Sequence, residues 1–229
     1  MIKAVIFDLD ITLVDYLYMK NQAIDSAVKG MIESGLKIDY NEAKEQIFDI
    51  YEKKGYEYQE VLNQFIISVY GTINYKILAA GIVSYRRAKE KSLLTYPNVG
   101  KTLIEISKIG LKLGLITDAP SREAWTRLYS VGLHNIFDKV VTSDESKAFK
   151  PSPIPFNLIL KYFSIMPYEA VMVGDWPERD LDGAKNVGMK TAFARYGASS
   201  INEDQYKVAD IALNDISEIL NYVEKQNSK

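Results

Sequence analysis

The strongest constraint in this sequence is a short apolar run that recurs along the chain and keeps ending at polar or acidic residues. Residues 4–8 (AVIFD) are continuous, β-branched and aromatic, which suits a strand buried on both faces of a parallel sheet. Residues 112–118, 139–143, 170–175 and 190–194 read alike, with a sixth candidate at 209–213. Between them lie stretches of helical period at 102–109, 121–131 (before Gly132), 155–163 and 182–187 (before Gly188). This alternation predicts a doubly wound, Rossmann-like α/β domain around a parallel sheet.

One interval breaks the rhythm. Residues 15–96 carry several helical patterns and no convincing strand. Ile24, Ala27, Val28, Met31 and Ile32 fit one apolar face, and Val61, Leu62, Phe65, Ile66, Val69 and Tyr70 fit another. Both stripes read as packing. Asp39 with Glu42 three residues on resembles a capping box at a helix start. Pro97 and Asn98 mark the return to the sheet. The expected organisation is therefore a core of 1–14 and 97–229 with an all-helical insert at 15–96, which fits 229 residues as one large domain carrying an insertion.

Composition removes several kinds of chemistry. Lys plus Arg number 28 against 30 Asp plus Glu, a net charge of −2, and no basic stripe marks a nucleic-acid face. With no cysteine, a disulfide scaffold, a thiolate nucleophile and cysteine-based zinc sites are all excluded, and His134 is the sole imidazole. The apolar start is too short for a signal core, and no apolar run reaches the roughly 18 residues of a membrane span. The expectation is a soluble, cytoplasmic protein with neither nucleic-acid nor membrane partners.

Open α/β sheets bind their ligands at the carboxyl ends of strands. Asp8 and Asp10 follow the first strand, Thr117 and Asp118 the second, and Lys150 lies in the loop after the third. Asp175 ends the fourth, with Asp180 five residues on. A single Asp there is a common turn residue or helix cap. Several carboxylates converging with one Lys and one Thr hydroxyl point to a site.

These residues fall in segments that resemble the haloacid dehalogenase-like superfamily of hydrolases. The matching pieces are Asp8-Leu-Asp-Ile-Thr12, Leu115-Ile-Thr-Asp118, Lys150-Pro-Ser-Pro153, and Gly174-Asp-Trp-Pro-Glu-Arg-Asp180 leading into Gly183-Ala-Lys-Asn-Val-Gly188, in family order. The resemblance implies that the insert at 15–96 is a helical cap that selects substrates. It implies Asp8 as the nucleophile that becomes an aspartyl-phosphate, and Asp10 as general acid, then general base. Thr117, Asp118 and Lys150 would make the phosphate-binding set. Asp8, the Asp10 carbonyl, Asp175 and Asp180 would hold a metal, Asp180 through a water or by orienting the other ligands. Electrostatics also asks for a cation: a phosphate facing several carboxylates is repelled by about 4 kcal/mol per unit-charge pair at ~4 Å and an effective dielectric near ~20. Oxygen-only ligands beside phosphate favour Mg²⁺.

The implied activity is Mg²⁺-dependent hydrolysis of a small phosphorylated metabolite. A phosphomutase shares every motif, and a phospho-accepting receiver is the reading from another class. Dehalogenases of the superfamily lack a proton-shuttling residue at the place of Asp10. Ile11 departs from the Gly common in the phosphatases. Gly100-Lys101-Thr102 imitates the end of a P-loop without its earlier Gly and reads as a helix start. Asp15, Tyr16, Tyr18, Lys20 and Trp176 are further candidates for pocket walls, each equally at home as a packing or surface residue, while Arg86 and Arg87, of which at most one could meet an anionic substrate tail, read as solvated side chains.

Overall fold

A computed structural model describes residues 1–198 and 207–228. Six strands form one parallel sheet: β1 Ala4–Phe7, β2 Lys112–Ile116, β3 Lys139–Val141, β4 Ala170–Gly174, β5 Lys190–Ala194 and β6 Ile211–Leu213, in the order β3-β2-β1-β4-β5-β6. β1 and β4 are buried along their whole length, as their unbroken apolar runs require. Strand order reverses between β1 and β4, which makes that boundary the topological switch point. Phe7 lies opposite Leu115 on one side and Val173 on the other, so the three central strands finish within one residue of each other. The two edge strands, β3 and β6, are each two residues shorter than the sequence suggests. Thr142 leaves β3 to cap a helix, and Ala209 and Asp210 precede β6.

The chain divides into two compact units, Met1–Asp15 with Leu94–Lys229, and Tyr16–Leu93. The second unit is helical: α1 Tyr16–Glu33, α2 Tyr40–Lys54, α3 Val61–Tyr70 and α4 Tyr75–Ser92. α1 and α4 pack along each other, and Ile24, Val28, Met31, Ile47, Phe65, Ile66, Ile77 and Leu78 form the apolar centre. Two members of the expected stripes, Ile32 and Tyr70, lie at the exposed edge instead; the Tyr70 hydroxyl there accepts the Lys37 N–H at 3.0 Å. The capping box at Asp39 is half formed. Asp39 accepts from the Asn41 and Glu42 amides, but the Glu42 side chain turns to Gln46 at 3.2 Å. Tyr16 and Lys20 are buried within this unit, Lys20 lying 4.2 Å from the Tyr51 ring centroid and 3.1 Å from the Tyr85 hydroxyl, while Tyr18, Arg86 and Arg87 are exposed.

In the sheet unit the insertion leaves and returns at one place, since the Asp15 amide donates to the Leu94 carbonyl at 2.9 Å and Val14 bridges to Thr95. Among the described residues its α-helices are α5 Val99–Lys108, α6 Ser121–Ser130, α7 Ser143–Ser146, α8 Pro153–Phe163, α9 Asp182–Asn186 and α10 Glu218–Asn227. Gly100, Lys101 and Thr102 lie in the first turns of α5, as a helix start. α8 begins two residues before the apolar period because Ser152 caps it and Pro153 suits a first turn. Phe156, Ile159 and Leu160 of α8 pack on Ile6, Ile116, Val141 and Met172 of the sheet. No helix among the described residues is long and apolar enough to cross a membrane.

Candidate active site

The loops leaving β1, β2 and β4 bring the expected acidic residues together beside one buried lysine. Lys150 follows α7 and precedes α8, and its ammonium donates to Asp8 at 2.5 Å, to Asp180 at 2.6 Å and, more weakly, to the Ile116 carbonyl at 3.4 Å. Asp8 stands one residue beyond β1, with its amide held by the Val173 carbonyl at 2.9 Å. Asp175 stands one residue beyond β4, and one of its oxygens accepts the Thr12 hydroxyl at 3.1 Å. Asp180 lies in a wide helical turn, Pro177–Leu181, that doubles back over β4; its second oxygen accepts the Trp176 amide at 3.0 Å.

Asp8, Asp175 and Asp180 are buried, and each offers a carboxylate oxygen within 4.8 Å of the others. The charge balance is lopsided. Burial, then the neighbouring Asp180, Asp175 and Asp10, hold the Asp8 carboxyl well above the usual carboxylate range despite Lys150. Burial and Asp180 push Asp175 up to about 7, with Lys150 and the Thr12 hydrogen bond pulling the other way. Burial would lower Lys150, but Asp180, Asp8 and Asp118 outweigh it and raise the ammonium above its ordinary value. The lysine thus stays charged while the carboxylates facing it are one cation short. An all-oxygen set with excess negative charge fits a hard divalent ion, and Mg²⁺ takes few carboxylates and keeps waters. Asp8, Asp175 and Asp180 would hold it with their side chains.

The other expected residues take distinct positions. Thr117, just past β2, is buried and its oxygen accepts the Ala119 amide at 3.1 Å, which leaves the hydroxyl proton to be donated elsewhere. Asp118 is engaged within the protein: one oxygen accepts the Lys150 amide at 2.8 Å, the other Arg179 at 3.2 Å. Its side chain fixes the Lys150 loop. Arg179 also lies over the Trp176 ring, 4.2 Å from its centroid, and Trp176 is nearly half exposed. Asp10 is absent from the acidic trio; its carboxylate pairs with Arg127 of α6 at 2.5 Å.

Three contributors escaped the sequence reading. Thr12 lies inside the first motif, whose spacing gives its side chain no separate role. Tyr196, which follows β5, donates its hydroxyl to the Thr12 carbonyl at 2.8 Å and meets Tyr96 edge-on at 5.4 Å between centroids. Its position at a strand's carboxyl end was the available signal. Arg127 occupies the inward face of α6 with Ala124 and Leu128, so a cation in the place of an apolar residue at i, i+3, i+4 spacing was the clue.

The family pattern of haloacid dehalogenase-like hydrolases matches residues 5–194. Glyceraldehyde 3-phosphate phosphatase of Methanocaldococcus jannaschii is 36% identical over 224 residues, covering 97% of each chain. The protein of that name from Pyrococcus furiosus is 33% identical over 227 residues, 99% of this chain and 95% of the relative. Among solved structures, a HAD phosphatase from Thermococcus onnurineus superposes with a TM-score of 0.72 at 26% identity, covering 97% of this chain and 98% of the other. With its family pattern running from β1 through β5 and its acidic residues gathered at the strand ends, the chain belongs to the haloacid dehalogenase-like hydrolases.

Proposed function

We propose that the protein is a Mg²⁺-dependent phosphatase that hydrolyses a small phosphorylated metabolite through an aspartyl-phosphate on Asp8. The observation that carries this reading is the buried Lys150 clamped between Asp8 and Asp180 with Asp175 alongside, a site built around anionic oxygens and short of positive charge. When bound, Mg²⁺ would neutralise that excess and the charge of the phosphate.

An Asp8 oxygen attacks phosphorus, the bond from phosphorus to the ester oxygen breaks, and Asp10 gives its proton to the departing oxygen. Water then attacks phosphorus and passes a proton to Asp10, the Asp8–phosphorus bond breaks, and phosphate leaves. Thr117 donates its hydroxyl to a phosphoryl oxygen, an orientation favoured by the amide hydrogen bond its oxygen already accepts. Lys150 supports the same group and counters Asp8. Thr12, tied to Tyr196, steadies Asp175. The helical unit Tyr16–Leu93 is read as the cap that selects the substrate. Glyceraldehyde 3-phosphate, which stands in the names of the two relatives above, is the first substrate to test.

The test is phosphate release from glyceraldehyde 3-phosphate, other sugar phosphates, phosphoglycolate and p-nitrophenyl phosphate. Release should require Mg²⁺, stop with EDTA, and disappear in Asp8→Asn while the thermal transition persists. Turnover that survives chelation would remove the metal, and near-native turnover by Asp8→Asn would remove the nucleophile.

A further inference from the structure

We infer that Arg127 is the positioning residue for Asp10: by fixing one oxygen of that carboxylate, it sets the orientation from which Asp10 exchanges protons with the ester oxygen and with water. The inference rests on the phosphatase reading and deepens it.

Arg127 sits where a helix buries its apolar stripe. Its side chain is 2% exposed, next to Ala124 and Leu128, with Asp10 24% exposed across the ion pair. Removing a guanidinium from water is unfavourable unless charge and hydrogen bonds compensate, and the Nη1–Oδ2 contact of 2.5 Å supplies such a partner from 117 residues away in the chain. For packing alone, a leucine at this position would serve. The contact also sorts the carboxylates. Lys150 serves Asp8 and Asp180, whereas Asp10 is turned to a second cation and kept out of the acidic trio. Both ends of the contact are held. Arg127 is in the second half of a ten-residue helix. Asp10 lies in a turn whose backbone closes through Ile11 N to Val14 O at 2.8 Å and Leu13 N to Leu9 O at 2.9 Å. A carboxylate gripped at one oxygen cannot rotate freely, which is what a group serving two successive proton transfers requires.

The experiment compares Arg127→Met, which keeps an unbranched apolar stem without the charge, and Arg127→Lys with the wild type on an alkyl phosphate and on p-nitrophenyl phosphate. An alkyl alkoxide needs a proton to leave, whereas p-nitrophenolate does not. For Arg127→Met the expected loss of kcat on the alkyl ester is roughly 10- to 100-fold, the scale of a misplaced catalytic group. KM and the single-turnover burst of p-nitrophenol should change by less than about 3-fold, and Arg127→Lys should recover part of the alkyl-ester rate. In an Asp10→Asn background, Arg127→Met should cost nothing further, because both changes remove the same step. Equal losses for both esters in single-turnover phosphorylation, an effect confined to KM, or additive losses in the double variant would overturn the assignment. Should Arg127→Met lack a cooperative thermal transition, the ester dependence of Arg127→Lys decides the matter by the same criterion. A wild-type protein that releases phosphate from no ester, by contrast, would refute the phosphatase reading itself.

Discussion

A Cβ on Gly174 would overlap the Cβ, the Cγ and one oxygen of Asp180. The last residue of β4 is therefore small because a carboxylate packs directly against the strand. Asp180 is 1% exposed and held by both Lys150 and the Trp176 amide, so it has little room to yield. Gly174→Ala should push it off Lys150, lowering kcat by about 10- to 100-fold, the range for a misplaced polar group, and raising the Mg²⁺ concentration needed for half-maximal rate. Wild-type kinetics across a Mg²⁺ titration would show that Asp180 can move without consequence. At Ile11, the departure from the family pattern acquires a physical meaning. The residue has φ 65°, a left-handed conformation that disfavours a β-branched side chain by about 1–2 kcal/mol, and a glycine would carry no such strain. Asp8, Asp175 and Lys150 were legible because strand ends and motif spacing locate them without a third dimension. Arg127 was not: a charge on a helix face reads as solvated until the fold supplies Asp10.

The order of the elements follows from hydrophobic period, whereas their ends follow from caps and neighbours. α8 illustrates both. Its apolar face was visible in Phe156, Ile159 and Leu160, but its start depended on the Ser152 cap, where the side chain accepts the Ile154 amide. The closeness of α8 to the sheet was likewise hidden, because it depends on an absent side chain. A Cβ on Gly114 of β2 would come within 2.5 Å of Ile159 Cδ1, 3.0 Å of Ile6 Cγ1 and 3.1 Å of Phe163 Cε2. Gly114 thus reads as a strand residue kept small by a helix and a neighbouring strand. Gly114→Val should overpack this layer and destabilise the protein by roughly 1–3 kcal/mol. Thermal or urea unfolding measures the loss. Activity of the folded fraction on p-nitrophenyl phosphate should be retained, because the site lies beyond the ends of the strands. A variant as stable as the wild type would show that α8 shifts outward at no cost.

Across the whole molecule, the acidic trio ties stability to pH and to metal. The carboxyls of Asp8 and Asp175 bind protons more tightly in the folded state than their ordinary value of 3.8 allows, Asp175 up to about 7. For a group whose folded pKa is raised, the stabilising contribution is complete below the unfolded pKa and is lost as pH rises through the folded one. The lowered carboxyls, Asp25, Asp215 and Glu169, act in the opposite sense: their contribution is complete above their ordinary values of 3.8 and 4.5 and is lost as pH falls through the lower folded ones. Raised Lys150 loses its contribution only above its ordinary 10.5. Between pH 5 and pH 8 the site carboxyls therefore dominate these shifts, and the metal-free protein should lose stability on the order of a few kcal/mol as pH climbs. Mg²⁺ should reverse that loss, since it requires the ionised carboxylates that mutual repulsion in the cluster disfavours. At about 100 times its Kd, Mg²⁺ adds about 2.7 kcal/mol, a rise in Tm of roughly 5–10 °C for a chain of this size. At pH 5 protons on Asp175 and Asp8 compete, and the rise should fall to less than half. Thermal scans at pH 5 and pH 8, each with EDTA and with Mg²⁺, measure all four corners. An equal Mg²⁺ shift at both pH values, or a metal-free Tm that increases from pH 5 to pH 8, would mean that the ion and the protons do not share these carboxylates.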